Sequence, residues 1–314
     1  MMRSSAETAE RVKVLTEKLE AGVKEVFESE KYKTYLKAMS RFHHYSFGNV
    51  MLILMQCPEA SLVAGYTTWK KQFGRTVKKG EHGIQIIAPV KRSKLVSQDK
   101  LDPDTQQPVI GPDGKPEKEP VFVQYQGFQV AYVFDVSQTE GRELPSLGVD
   151  ELTGDVPNYN AMFPAVEAIS PVPVEFRPAS AAKGSFNHLE RKIYVNEDMS
   201  QVQTLKTLIH ETAHALLHDS SVLDDEIPKK DRHTKEVEAE SIAYVVCQHF
   251  GIDTSDYSFP YVTGWSCGKE LPELKASLEC ISKTASSLIT SMEAACPELA
   301  VDKAEKPKEK CVSR

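Results

Sequence analysis

The chain has 314 residues, 40% hydrophobic and 26% charged, with a formal net charge of −7, the composition of a globular protein large enough for two domains. Its longest apolar run, near Val50–Met55, is far too short to cross a bilayer. The opening MMRSSAETAERVKVL lacks the apolar core of a secretion signal, so a cytoplasmic protein with no membrane partner is expected. The charge is uneven: from Lys31 to Arg92 eleven Lys/Arg face two Asp/Glu, an excess of +9, and the remainder carries −16. Such a split suits one face turned to a polyanion. Six cysteines at 57, 247, 267, 280, 296 and 311 form no C-x-x-C pair and read as reduced packing residues.

In chain order, residues 5–41 carry a helical period, with Val12, Leu15, Leu19, Val23 and Val26 at three- and four-residue steps. A second helix starts near Ser46 and ends before Pro58, and a short one covers Thr67–Phe73. KKGEHG is a turn and IQIIAPV a strand. Residues 97–120, rich in Pro, Gly and charge, read as a mobile excursion before a return strand at 121–136. The expected class is α+β with two domains: helices plus an antiparallel sheet over 1–141, a linker at 142–158, a second domain over 159–296, and a disordered tail at 297–314. In the second domain PVPVEF and KIYVNEDM are strands joined through AAKGSFNHLER, and helices follow at about 201–218 and 233–250, with a closing helix after them.

The first of these helices contains His210-Glu211-Thr212-Ala213-His214. Residues four apart share a helix face, so His210 and His214 aim at one point, which suits Zn²⁺, with Mn²⁺ also possible. Glu211 flanks that point and is placed to take a proton from water that the ion acidifies, the H-E-x-x-H logic of metallopeptidases. A catalytic site usually takes three protein ligands. On the next helix Glu236 and Glu240 lie on a small, apolar face while Glu238 points elsewhere. Glu236 is therefore the expected third ligand, with Glu240 orienting a histidine from behind; the reverse order stays open. His218 extends the 210/214 face toward the site mouth, and His233 and Tyr244 are candidate donors to a substrate oxygen. An extended peptide held on the edge of the sheet before the motif helix would make the substrate a protein, whose identity the sequence does not give.

In the first half, aromatic and basic residues interleave in the manner of single-stranded nucleic-acid binders. Arg41, Tyr45, Lys70, Lys71, Arg75, Lys78 and Lys79 are the candidate contacts, whereas Phe47 and Trp69 fit a core better. The segments Tyr45–Ile53, Val63–Trp69, Gly74–Pro89 and 133–141 resemble the N-terminal domain of ArdC-type antirestriction proteins. HETAHALLH and EVEAESIAYVVCQHFGIDTSDYSFPYVTGW resemble that family's zincin-like metallopeptidase half, of the ImmA/IrrE type, so that the likeness covers about residues 5–290. The charged insert and the lysine-rich tail lie outside the pattern. The resemblance implies a single-stranded DNA-binding first domain, a metal-binding peptidase fold in the second, carriage on plasmids or other mobile elements, and protection of incoming DNA from restriction. Two other readings stand beside this one: a protein that coats single strands around a structural metal, and a DNA-dependent protease that acts on DNA-bound proteins.

Overall fold

The computed structural model describes residues 5–103, 105–112, 114–142, 144, 159–178, 182–219, 230–252, 259 and 262–296. The expected linker and tail lie almost wholly outside these residues.

The helical period over 5–41 resolves into two helices, α1 (Ser5–Glu25) and α2 (Ser29–Arg41). The chain breaks between them where Val26 and Phe27 turn inward and are buried. A period of 3.6 persists across a short break, so periodicity alone does not reveal the corner. Helix α3 (Phe47–Gln56) begins at Ser46, whose side chain accepts the Asn49 N–H. Next come β1 (Val63–Gly65), α4 (Tyr66–Gln72), β2 (Arg75–Val77), β3 (Ile84–Asp99), β4 (Lys118–Asp135) and β5 (Thr139–Gly141). The strand order is β1-β4-β3, with β1 antiparallel to the end of β4 (Val63↔Asp135 to Gly65↔Val133), and β2 pairs with β5. Asp135 turns this corner: its carboxylate accepts the N–H groups of Ser61, Leu62 and Ser137. Burial opposes its charge, yet these donors hold its pKa below the usual value.

The charged stretch at 97–120 belongs largely to a long hairpin. Strand β3 runs to Asp99, β4 starts at Lys118, and bridges at Leu101↔Pro108 and Ile110↔Pro116 continue the pairing. Side chains here are exposed on both faces, so no hydrophobic alternation marks the strands in the sequence.

The second half comprises α5 (Tyr159–Ile169), β6 (Val174–Arg177), β7 (Gly184–Asn187), β8 (Lys192–Asn196), α6 (Gln201–Leu217), α7 (Arg232–His249), α8 (Val262–Ser266) and α9 (Leu271–Ala295). Strand β8 is central, parallel to β6 and antiparallel to β7. The expected connection AAKGSFNHLER thus contains a strand of its own, β7, four residues long and beginning on glycine. Ile193 and Val195 of β8, Leu205, Leu208 and Ile209 of α6, Val237 and Ile242 of α7, and Leu278 and Ile281 of α9 form the core. Truncating a fully buried leucine such as Leu208 to alanine costs about 2–5 kcal/mol.

Contacts divide the chain into two compact units: Met1–Glu17 with Gln85–Tyr132, and Lys18–Ile84 with Val133–Arg314. The hairpin thus forms one unit with the start of α1. Helix α2 belongs to the other unit and packs on α7, where Tyr32 shares a 2.8 Å hydrogen bond with Ser241. Among the described residues no helix is long and apolar enough to cross a membrane.

Candidate metal centre and nucleic-acid surface

Helix α6 starts at Ser200, whose hydroxyl accepts the Gln203 N–H. Its buried face of Leu205, Leu208, Ile209 and Ala213 fixes its rotation against the sheet and α7. That rotation brings His210 Nε2 and His214 Nε2 to 3.1 Å of each other. Helix α7 starts at Asp231, whose carboxylate accepts both the N–H and the hydroxyl of Thr234. Its first turns carry Glu236 Oε2 to 3.5 Å from His210 Nε2 and 3.6 Å from His214 Nε2. Two donors bound at about 2.0–2.1 Å to one tetrahedral ion lie roughly 3.3–3.4 Å apart. The three separations bracket that value, so the donor set fits a divalent cation.

Glu240 lies one turn further on. Its Oε2 is 3.2 Å from His210 Nδ1, off the direction of a good hydrogen bond, and its Oε1 is 3.5 Å from Lys206 Nζ. Burial disfavours a charge on His210, but the carboxylates of Glu236 and Glu240 outweigh it and raise its pKa to about 9. The same contacts, to His210 and His214, push the Glu236 pKa far down. Of the two acids left open by the sequence, Glu236 faces both Nε2 atoms and Glu240 faces the outer nitrogen of His210.

Glu211 is buried, and burial raises its pKa, while a hydrogen bond from the Phe186 N–H of β7 works against that rise. Strand β7 reaches it through Gly184. A Cβ there would sit 2.4 Å from Thr207 Cγ2, 3.0 Å from the Tyr194 carbonyl and 3.2 Å from Glu211 Cγ. Only glycine permits this approach of strand to helix. An open cleft of about 290 Å³, lined by Lys183, Gly184, Lys206, Thr207, His210 and Glu211, lies beside the pair.

Behind the site runs a chain of groups that the sequence did not reveal. His218 is buried, away from the site mouth, with Nδ1 2.9 Å from His214 Nδ1 and Nε2 3.1 Å from Glu238 Oε2. With His214 Nε2 directed at a metal, its Nδ1–H donates to His218, and His218 Nε2–H donates to Glu238. Glu238 is fully buried and also accepts from Lys230 Nζ at 2.7 and 2.8 Å and from Ser277 at 2.9 Å. Burial opposes its charge, and these donors keep its pKa low; burial likewise lowers the His218 pKa, which suits a neutral ring. The one sequence signal was the continued i, i+4 spacing of His214 and His218. Tyr244 is packed in the core against Phe259, and His233 is exposed on the first turn of α7.

The basic candidates of the first half differ in their surroundings. Lys70 and Lys71 lie exposed on the last turn of α4 and Lys79 in the following turn. Arg75 bonds to Thr139 and the Arg142 carbonyl, Lys78 to the Ser137 carbonyl, Arg41 to the Ala60 carbonyl and Tyr45 to the Val63 carbonyl. The donors of these four meet backbone or side-chain oxygens of neighbouring segments, while Arg41 and Lys78 are also exposed. Trp69 is fully buried and its indole N–H bonds the Phe134 carbonyl at 2.8 Å. On the hairpin, by contrast, Phe122, Tyr125 and Phe128 are exposed at 73%, 47% and 51%, with Lys91 and Lys94 exposed on the paired strand. The return strand expected at 121–136 is the greater part of β4, and these rings stand on it.

Residues 6–134 match the N-terminal domain of anti-restriction factor ArdC, and residues 170–248 match the peptidase M78 model described as the IrrE N-terminal-like domain. The chain thus joins an ArdC-type N-terminal domain to an IrrE-like peptidase M78 domain. An uncharacterized protein of Bacillus anthracis is 30% identical over 300 residues, covering 83% of this chain, and the chain spans only 47% of that relative's length. Crystal structures of the antirestriction ArdC protein from the R388 plasmid are similar to this chain, each over 81% of it and 84% of the crystallised chain. The metal-free form is 24% identical with a TM-score of 0.43, and the Mn(II)-bound form 21% with a TM-score of 0.41. The α+β class, with the ArdC domain first and the metallopeptidase-like domain second, follows from the two matched models and the element order.

Proposed function

We propose that this chain is a Zn²⁺-dependent peptidase joined to a single-stranded DNA-binding N-terminal half, and that it protects incoming mobile DNA from restriction. The observation that carries the peptidase reading is the convergence of His210, His214 and Glu236 at ligand-ligand distances, with Glu211 beside them. Two imidazoles and one carboxylate form the donor set of hydrolytic zinc sites, and Mn²⁺ is a permitted substitute. The bound cation would supply Lewis acidity. The chain's own residues do the rest. Glu211, held at a raised pKa by burial, takes the proton of the attacking water as that oxygen bonds to the peptide carbon. It then returns the proton to the amine nitrogen as the C–N bond breaks. Glu240 places its charge beside the outer nitrogen of His210, and the His218–Glu238 pair sets the His214 ring. The outer edge of β7 lies next to the cleft and suits an extended peptide added to the sheet.

The exposed rings of the hairpin, with Lys91 and Lys94, support the nucleic-acid reading, beside the exposed Lys70, Lys71 and Lys79. These rings also favour the coating reading, in which protection needs no proteolysis. The discriminating experiment is Glu211→Ala. Metal content and single-strand binding persist while peptide cleavage stops; cleavage that survives removes Glu211 as the base. Transfer of restricted DNA into cells carrying the same variant then separates the readings, since loss of protection requires the peptidase and full protection leaves coating.

A further inference from the structure

We infer that the chain holds a second divalent metal, at a closed site built by His43, His249 and Glu293. One ligand-type atom from each of these residues lies within 4.8 Å of the other two. The three come from distant parts of the chain: the turn that follows α2, the last residue of α7, and the final turn of α9. His43 and Glu293 are buried, at 4% and 8% exposure, and His249 is largely so.

The chemistry of the cluster repeats that of the H-E-x-x-H site, with two imidazoles and one carboxylate, the borderline donor set that zinc-like cations prefer. Its geometry carries a second mark of a ligand set. His249 Nδ1 is 3.1 Å from the Ser40 carbonyl, to which only a protonated ring nitrogen can bond. In a neutral ring that assignment makes Nε2 the electron-pair donor, and Nε2 is the atom that faces Glu293 Oε1, at 3.1 Å. A ligand histidine whose outer nitrogen is fixed by a backbone carbonyl is the usual arrangement around a bound metal. The separation of 3.1 Å is close to the roughly 3.3 Å expected for two donors on one tetrahedral ion. The His43 ring stands at 77° to that of His249, centroids 4.6 Å apart, with a ring nitrogen within 4.8 Å of both other ligand atoms.

The bland account of the same atoms is an ion pair, with His249 doubly protonated between Ser40 and Glu293 and His43 set edge-on beside it. That account needs no third donor, whereas a cation uses all three. His43 and Glu293 are buried and His249 largely so, hence a bound ion there is structural: it ties the segment after α2 to α7, the helix whose other end carries Glu236.

The test counts ions in the full-length chain. Metal-free protein is titrated with Co²⁺, read by its visible absorption and by equilibrium dialysis. Two equivalents bind to the wild type. One remains in a folded His210→Ala/His214→Ala protein, with a rise in unfolding temperature on adding Co²⁺. Placing Glu293→Gln in that background removes the remaining equivalent and the rise; if Glu293→Gln unfolds the chain, His43→Gln gives the same reading. A folded His210→Ala/His214→Ala protein that binds no Co²⁺, or one equivalent that survives both Glu293→Gln and His43→Gln, overturns the second site. Loss of the first site alone bears only on the peptidase reading, so the two failures are told apart.

Discussion

The metal cleft and the hairpin carry their chemistry in opposite ways. In the cleft four side chains are held by two capped helices, a close-packed strand and a buried polar chain, so each group has one position. On the hairpin the aromatic rings stand in solvent on a two-stranded ladder with charges on either side. Reaction chemistry rewards fixed geometry, because a proton must move between atoms within hydrogen-bond reach. Single-strand binding rewards a row of similar, replaceable contacts. Single changes should therefore act steeply in the cleft and gradually on the hairpin.

The largest expected effect tests the first half of that contrast. Glu211→Gln keeps shape and metal but removes the base, and peptide cleavage falls by about 10²–10⁴-fold at unchanged metal content. A smaller loss would mean that the cleft tolerates imprecision. Next come the groups behind the ligands: Glu238→Gln or His218→Phe lowers metal affinity by roughly 10–100-fold, read by competition with a chelator. Glu238→Gln also leaves Lys230 without its anionic partner, so unfolding by denaturant shows a lower midpoint. On the hairpin, Phe122→Ala, Tyr125→Ala and Phe128→Ala each weaken single-strand binding by about 1 kcal/mol or a little more, roughly fivefold, and together add up, as fluorescence anisotropy would measure. Lys70→Ala and Lys79→Ala shift the same binding by less and mainly flatten its salt dependence. One ring that abolished binding alone would break the comparison, because it would make the hairpin a preorganised site.

The smallest effect concerns how the cleft is held. Asp231 caps α7, and the Thr234 N–H, the first cause, with the Thr234 hydroxyl and Lys269, lowers its pKa to about 2 against the burial that opposes its charge. A depressed carboxylate stabilises the fold above its unfolded pKa, near 3.8, and that contribution is lost as pH falls through about 2. Asp231→Ala should therefore cost about 1 kcal/mol at pH 5–7, with the difference from wild type closing between pH 4 and 2 in denaturant titrations.

Legibility in the sequence followed the range of the interaction. The spacing of His210 and His214 is covalent arithmetic on a helix, and the caps at Ser46, Ser200 and Asp231 lie within three residues of the groups they bind. Glu236 and Glu240 were separable from Glu238 by the same 100° step, although which acid faced the metal side was not. What Glu238 does was hidden because its partners come from other elements: His218 from the end of α6, Lys230 from before α7 and Ser277 from α9. A buried acid looks like any helix-surface acid until its partners are known.

The sequence by itself determined helices α3, α4, α6, α7 and α9, the strand-rich segment, and the placing of His210 and His214 on one helix face with Glu211 beside them, because each depends on backbone geometry repeated every two or every 3.6 residues. The tertiary structure alone decided that α1 and α2 part company, that β7 lies on α6 through Gly184, that the aromatic strand is exposed rather than buried, and that His43, His249 and Glu293 meet. Burial and polar partnership are properties of surfaces brought together, and no local pattern states which surfaces those will be.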